Sequence, residues 1–280
     1  KMNLALRGIS HNLGGTNDSS FTNDLHKGLH FDYIMANPPF NLKSWYNDNL
    51  KNDPRWADYM TPPASNANYA WILHMLYHLK PSSGVAGFLL ANGALNDGDT
   101  LAIRQKLIEN DKVEAIVVLP RELFITTDIS VTLWILNQNK KGGKYHDRNL
   151  RNREHEILFM DLRAWTENSV KNENKKKVCL SSEQIKKASD IYHNWQSEGT
   201  NGKHYEYPEL YRSVEIDEIK AKGWTLTPSK YIEFIDHDMD IDFKNEMTKI
   251  QEKMKDIVKT EKNSQEMLED AFEGIGYGIK

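Results

Sequence analysis

Four consecutive residues, Asn37-Pro38-Pro39-Phe40, combine a primary amide, two residues without a backbone N–H and an aromatic ring. Such a set suits the methylation of an exocyclic amine such as N6 of adenine. That nitrogen is a poor nucleophile because its lone pair is delocalised into the ring. Two acceptors aimed at its N–H bonds localise the lone pair and point it at a methyl donor. The Asn37 side-chain oxygen can be one acceptor. The Pro38 carbonyl, held still by the Pro-Pro turn, can be the other, and Phe40 can stack on the base. This is catalysis by orientation and electrostatics, with no carboxylate base required. A base inside a duplex must be flipped out to reach such a pocket.

The residues around the motif must position it. Phe31 to Ala36 is a short, mostly apolar run that suits a strand buried on both faces of a parallel sheet. Pro38 and Pro39 stop it, since neither can donate to a ladder. Asn37 is then presented at the carboxyl end of the strand, the edge where open α/β sheets bind ligands. The alternative is a Pro-rich loop with a packed Phe. The helix–strand alternation that follows favours the site. It reads as a buried helix over Asn66–Leu79, a strand over Val85–Ala91 ending at Asn92-Gly93, and a helix from the Thr100 cap to Asn110. Strands over Val113–Leu119 and Val131–Asn137 complete it. The alternation predicts an α/β fold, a mostly parallel sheet with helices on both faces. No crossover helix fits between the last two strands, so the final one is expected to be antiparallel.

The chain has 280 residues, 39% of them hydrophobic, enough for one large core or two modest ones. No apolar run approaches a membrane span. The single cysteine, Cys179, excludes an intrachain disulfide and a cysteine-based zinc cluster, and fits a reducing cytoplasm. His74 and His78 stand four apart, but no third ligand is evident, so no metal is expected. Net charge is −4, unusual for a protein that grips DNA alone. Either basic residues cluster locally or a partner supplies the affinity. The local cluster is Lys140, Lys141, Lys144, Arg148, Arg151 and Arg153, on a stretch loosened by Gly142-Gly143. It reads as a phosphate-contact segment or as a solvated loop. The long loop Leu42–Ser65 carries Trp45, Tyr46, Arg55, Trp56 and Tyr59. These either border a flipped base or pack the loop down.

Ala36 to Phe40, Asn66-Ala67-Asn68-Tyr69-Ala70-Trp71, Leu90-Ala91-Asn92-Gly93 and Leu133-Trp134-Ile135-Leu136 together resemble the modification (methylase) subunit of type I restriction-modification systems. The resemblance runs, with gaps, from about Lys1 to Tyr277. It implies a Rossmann-like methyltransferase sheet, S-adenosylmethionine as methyl donor and N6 of adenine in DNA as acceptor. It also implies a specificity subunit and a restriction subunit as partners. Asn37, Pro38, Pro39 and Phe40 match the catalytic motif. Asp24 matches a carboxylate that touches the adenine of the donor, though an Asx turn or helix cap explains it equally. One departure stands out. Such subunits carry a Gly-rich donor loop before the N-P-P-F strand, and Gly14-Gly15 reads only as a turn. The expectation is a carboxyl-terminal piece of a longer subunit, with an incomplete donor pocket and no activity alone. Methylation of a protein glutamine amide or an RNA base is the alternative chemistry. A non-catalytic assembly module is the alternative class.

Three regions are expected: a catalytic half over 1–165, an α/β extension over 166–235, and a helical tail over 236–280. The catalytic half closes on a strand over Glu156–Leu162, and the extension holds a charged loop over Lys171–Lys177 and a helix opened by the Ser181/Gln184 capping box. A short helix over Ile216–Lys222 and an extended Thr227–Tyr231 follow. In the tail, Phe243, Met247, Ile250, Met254 and Ile257 form a short heptad seam, with a second helix capped by Ser264 and ending at Gly274. The seam packs either on the chain's own body or, as the resemblance implies, on a helix of the specificity subunit.

Overall fold

In the computed structural model, residues 2–124, 128–166, 169–172, 175–235 and 243–278 are described. In chain order the elements begin with a short helix α1 (Met2–Ala5) and strand β1 (Tyr33–Ala36). Then come α2 (Asn68–His78), β2 (Val85–Ala91), α3 (Leu101–Glu109), β3 (Val113–Val118) and β4 (Val131–Asn137). The hairpin β5 (Gly143–Tyr145) and β6 (Arg148–Leu150) precedes β7 (Glu156–Asp161). A second hairpin, β8 (Ser169–Asn172) and β9 (Lys175–Val178), stands where a charged loop was expected. The chain continues through α4 (Ser182–Gln196), β10 (Glu206–Tyr207), β11 (Tyr211–Glu215), α5 (Ile216–Ala221) and α6 (Phe243–Gly274).

One sheet organises residues up to Phe234, with strand order β1-β2-β4-β3-β7-β11-β10. β1 is parallel to β2 and β3 to β7, while β4 runs antiparallel to both β2 and β3. The expected reversal is therefore present, with β4 inserted between its predecessors. β11 pairs with β7, so the extension joins the same sheet.

Alternation along each strand splits the core. Phe88, Leu90, Ile116, Trp134 and Phe159 point to the side covered by α2 and α3. Leu158 and Met160 point to the side where Ile191 and Trp195 of α4 pack. The capping box is intact: Ser181 Oγ accepts from the Gln184 N–H and the Gln184 side chain accepts from the Ser181 N–H. This fixes where α4 begins.

β1 departs from the expectation of two buried faces. Its burial alternates, leaving Tyr33 58% and Met35 92% exposed. β1 pairs only with β2 and so forms the edge of the sheet. Thr227–Tyr231 also differs: Pro228–Lys230 is a 3-10 turn whose Pro opens it without loss of an N–H bond.

The residues from Ile235 onward form a second unit. Its helix α6 is a single 32-residue helix where two were expected. Ser264 does not cap a new start; its hydroxyl donates back to the Thr260 carbonyl at 2.8 Å within the helix. None of its side chains is buried. Among the described residues no helix is long and apolar enough to cross a membrane.

The polar residues of α2 tie the region before β1 to the sheet. Arg55 donates to the Ser20 carbonyl at 2.7 Å and to His74 Nδ1 at 3.0 Å. The ring nitrogens of His78 face the Leu29 carbonyl at 2.9 Å and the Asp24 carboxylate at 3.0 Å. Burial, together with the neighbouring His78 and Arg55, lowers the pKa of His74 to about 4. The unfolded chain therefore binds a proton at His74 near pH 6.5 that the folded chain refuses until near pH 4. Stability should fall as pH drops through that window, by up to about 3 kcal/mol. His74→Gln keeps an acceptor for Arg55 and does not titrate, so urea midpoints measured from pH 7 to pH 4 should fall less steeply in that variant.

Candidate active site

Asn37 leaves β1 at its carboxyl end. The register Ala36↔Phe88 sets it beside β2, whose last residue, Ala91, leads directly into Asn92. The Asn37 side chain is exposed and has no hydrogen-bond partner among the described residues. Pro38 is buried, Pro39 exposed and Phe40 half-buried. The structure thus presents an uncommitted amide oxygen, and beside it an aromatic ring with one side still accessible.

The turn is held from below. Asn41 has φ 53°, a left-handed conformation that Asn tolerates better than other non-glycine residues. Its N–H donates to Asn68 Oδ1 at 3.0 Å. Asn68 Nδ2 returns a bond to Asn41 Oδ1 at 2.9 Å, and Asn66 Nδ2 adds one at 3.1 Å. The Ala67 N–H donates to the Leu42 carbonyl at 2.9 Å. Next along α2, the Tyr69 hydroxyl donates to the Ala94 carbonyl at 2.9 Å, fixing the turn after β2. Burial pushes the Tyr69 pKa up to about 12, so the hydroxyl stays a donor. At the same edge Thr132 Oγ1, fully buried, donates to Asn92 Oδ1 at 2.6 Å.

The arrangement joins an exposed Asn amide, a Pro-Pro turn and an aromatic ring at the carboxyl edge of a sheet with an antiparallel insertion. The model of the N-6 DNA methylase family matches residues 1–240. The chain belongs to that family. It is 35% identical to the type I restriction enzyme HindI methylase subunit of Haemophilus influenzae, over 99% of this chain and 58% of that protein. It is 33% identical to the MjaIX methylase subunit of Methanocaldococcus jannaschii, over 99% of this chain and 48% of that one. The chain therefore spans about half the length of these relatives. In fold it resembles the methyltransferase subunit of a type I restriction-modification system from Streptococcus thermophilus. The TM-score there is 0.67 at 22% identity, over 84% of this chain and 45% of that one.

Other residues singled out in this N-6 DNA methylase sequence lie elsewhere. Asp24 is not at the carboxyl edge. Its carboxylate accepts from the His26 N–H at 3.0 Å and faces His78, at the opposite end of α2 from Asn68. Ten helical steps separate His78 from Asn68, roughly 15 Å along the axis. Burial pushes the Asp24 pKa up, but the His26 N–H and the two histidines outweigh it and the net shift is downward. Asp24 thus makes an Asx-turn contact in its own loop and a second contact to His78 of α2.

The loop between β1 and α2 is packed down rather than open. Trp45 and Trp56 are buried, their indole N–H groups donating to the Pro63 and Leu50 carbonyls. Arg55 is 6% exposed and paired with Asp53 at 2.8 Å, so it faces no substrate. Asn47 and Asp53 each cap a 3-10 turn in this loop, which gives it more local structure than its sequence showed.

The basic cluster divides. Lys140 is 3% exposed, its ammonium held by Asp111 at 2.6 Å and by the Val113 and Glu156 carbonyls. Burial lowers its pKa, opposed by Asp111. Arg153 is fully buried against Glu114 at 3.0 Å, with Gln196 donating to the same carboxylate at 3.0 Å. Arg151 pairs with Glu156 at 2.7 Å and 3.1 Å. A phosphate-contact role is therefore corrected for Lys140 and Arg153, whose charges are spent inside, while Arg151 is half-buried with its guanidinium on Glu156. Lys141 and Lys144 are exposed, and Arg148 is half-buried with a bond to the His193 carbonyl. The partner of Arg153, Glu114, sits at a β-bulge between Val113 and Ala115. No pattern in the sequence marks that bulge. The asparagines at 41, 66 and 68 were likewise missed as a unit, although two of them flank Ala67 at a helix start and the third follows the motif directly.

Removing one partner of a fully buried ion pair strands the other charge. Arg153→Ala should destabilise the fold by roughly 3–5 kcal/mol, whereas Lys141→Ala and Lys144→Ala should leave it within about 0.5 kcal/mol. Urea denaturation of the three variants checks this.

Proposed function

We propose that this chain is the catalytic half of a type I modification subunit, which methylates N6 of adenine in DNA. The observation that carries the reading is the Asn37–Phe40 turn, with the Asn37 amide exposed and unpartnered at the carboxyl edge of the sheet. The Asn37 oxygen and the Pro38 carbonyl accept the two N–H bonds of the flipped adenine's amine. Phe40 stacks on the ring and sets its plane. Because both acceptors ride on a turn fixed by prolines, they need no rearrangement as charge develops on nitrogen.

S-adenosylmethionine, when bound, supplies the methyl group as an electrophile. Asp24 is turned toward His78, and the outer edge of β1 carries the exposed Tyr33 and Met35. On this reading neither Asp24 nor these two side chains is the main holder of the donor, and the chain spans about half the length of its relatives. Nothing in the site favours a glutamine amide or an RNA base over adenine, and the similarity to type I methylase subunits argues for DNA.

The reading extends to partners. With Lys140 and Arg153 internal and Arg151 paired with Glu156, Lys141, Lys144 and Arg148 are the members of the cluster best placed for phosphates. DNA binding then rests chiefly on a specificity subunit, with a restriction subunit completing the assembly in the cytoplasm. The seam Phe243, Met247, Ile250, Met254 and Ile257 on α6 is exposed and needs a second helix to bury it, the role assigned here to the specificity subunit.

The test is Asn37→Ala in the full-length subunit assembled with its partners. Loss of one of two preorganised acceptors should lower kcat by about 10²–10³-fold, while calorimetry shows S-adenosylmethionine affinity retained. Near-normal turnover would remove Asn37 from the chemistry.

A further inference from the structure

Resting on the adenine-N6 reading, we propose that Asn41, Asn66 and Asn68 form an amide clamp that positions the N-P-P-F turn for the acceptor base. The three side chains close a complete circuit. Asn41 Oδ1 receives two donors, Asn68 Nδ2 and Asn66 Nδ2. Asn68 Oδ1 receives the Asn41 N–H, and Asn66 Oδ1 receives the Asn68 N–H at 2.9 Å. Asn68 is only 5% exposed, so an unmatched amide there would be costly.

The clamp answers a mechanical problem. Pro38 and Pro39 cannot be tied down through their own N–H groups. The first backbone N–H after the prolines that a protein acceptor holds is that of Asn41. Its left-handed conformation turns that N–H toward α2, and the reciprocal side-chain pair fixes the turn in two directions at once. Asn68 opens α2, a helix whose other face packs in the main core, so the turn is referenced to a rigid body. The same helix start holds the second loop of the edge through Tyr69. Neither Asn66 nor Asn68 caps the helix in the ordinary way, since the N-cap position is Ala67 and has no side-chain bond. These are positioning residues, acting through Asn37, Pro38 and Phe40.

The experiment uses the full-length subunit with its partners and a duplex carrying 2-aminopurine at the target adenine. Asn68→Ala should lower kcat by about 10- to 100-fold, the loss expected when a reacting group shifts by up to an ångström. It should also reduce the 2-aminopurine signal of the captured base, with S-adenosylmethionine affinity within about twofold. Hydrogen exchange in the peptide Asn37–Leu42 should speed up by tenfold or more while β2 and β4 stay protected. Asn68→Asp, which still accepts the Asn41 N–H but can no longer donate to Asn41 Oδ1, should recover only part of the loss. Asn41→Gly, which keeps the left-handed turn and the N–H bond, should lose less than Asn68→Ala. Unchanged kcat in Asn68→Ala, or a loss of kcat without faster exchange at Asn37–Leu42, overturns the proposal. So does a parallel collapse of donor affinity and thermal stability. If Asn37→Ala also leaves methylation intact, the adenine reading itself has failed, and the clamp is reduced to a loop latch that exchange alone detects.

Discussion

Two missing amide hydrogens set the form of the site. Pro38 and Pro39 cannot extend a ladder, so β1 stops at Ala36 and the next side chain, Asn37, emerges free at the sheet's carboxyl edge. The chain must then turn without backbone bonds of its own, and the load passes to Asn41. From there the requirements propagate: a residue that tolerates a left-handed conformation, an amide partner at the start of a buried helix, and a helix long enough to anchor both ends of β1. α2 meets the last of these, with Asn68 engaging the motif turn and His78 receiving the Phe31 N–H through its carbonyl. One buried helix thus fixes where β1 begins and where it is left.

The far side of the sheet uses charge in the interior rather than at the surface. Glu114 gathers Arg153, Gln196 and Asn137 around one carboxylate, and Lys140 bridges Asp111 to two backbone carbonyls. These contacts join β3, β4, β7 and α4, the elements that carry the extension onto the sheet. A buried network of this kind adds little net stability compared with an apolar core, but it is intolerant of partial loss.

Much of the fold was legible before any coordinates. β2, β3 and β4 are mostly apolar runs, interrupted by Glu114 in β3 and Thr132 in β4, and their ends agree with the sequence to within a residue. The antiparallel return of β4 followed from the lack of a crossover helix, and α4 from its capping box. What stayed hidden depended on contacts distant in sequence. A basic residue looks the same whether it meets phosphate or a buried carboxylate, so Lys140, held by Asp111, and Arg153, held by Glu114, read as a surface stripe. Trp45 and Trp56 look the same at a substrate or in a core. The tail was split at Ser264 because serine is a good cap, yet the stretch holds no Gly or Pro before Gly274 to end a helix. At the site itself, the motif was readable because its chemistry lies in consecutive residues. The clamp was not, because its members are joined only by the fold.

The central claim is that the turn holds the acceptor amine by two oxygens. A structure of the assembled full-length subunit on its target duplex, with a donor analogue in place of S-adenosylmethionine, tests it most directly. The account predicts the target adenine outside the helix and stacked on Phe40. Its N6 should lie at roughly 3 Å, hydrogen-bond distance, from both Asn37 Oδ1 and the Pro38 carbonyl oxygen. An adenine left in the duplex in the closed complex, or flipped with its amine away from these two oxygens, would contradict it.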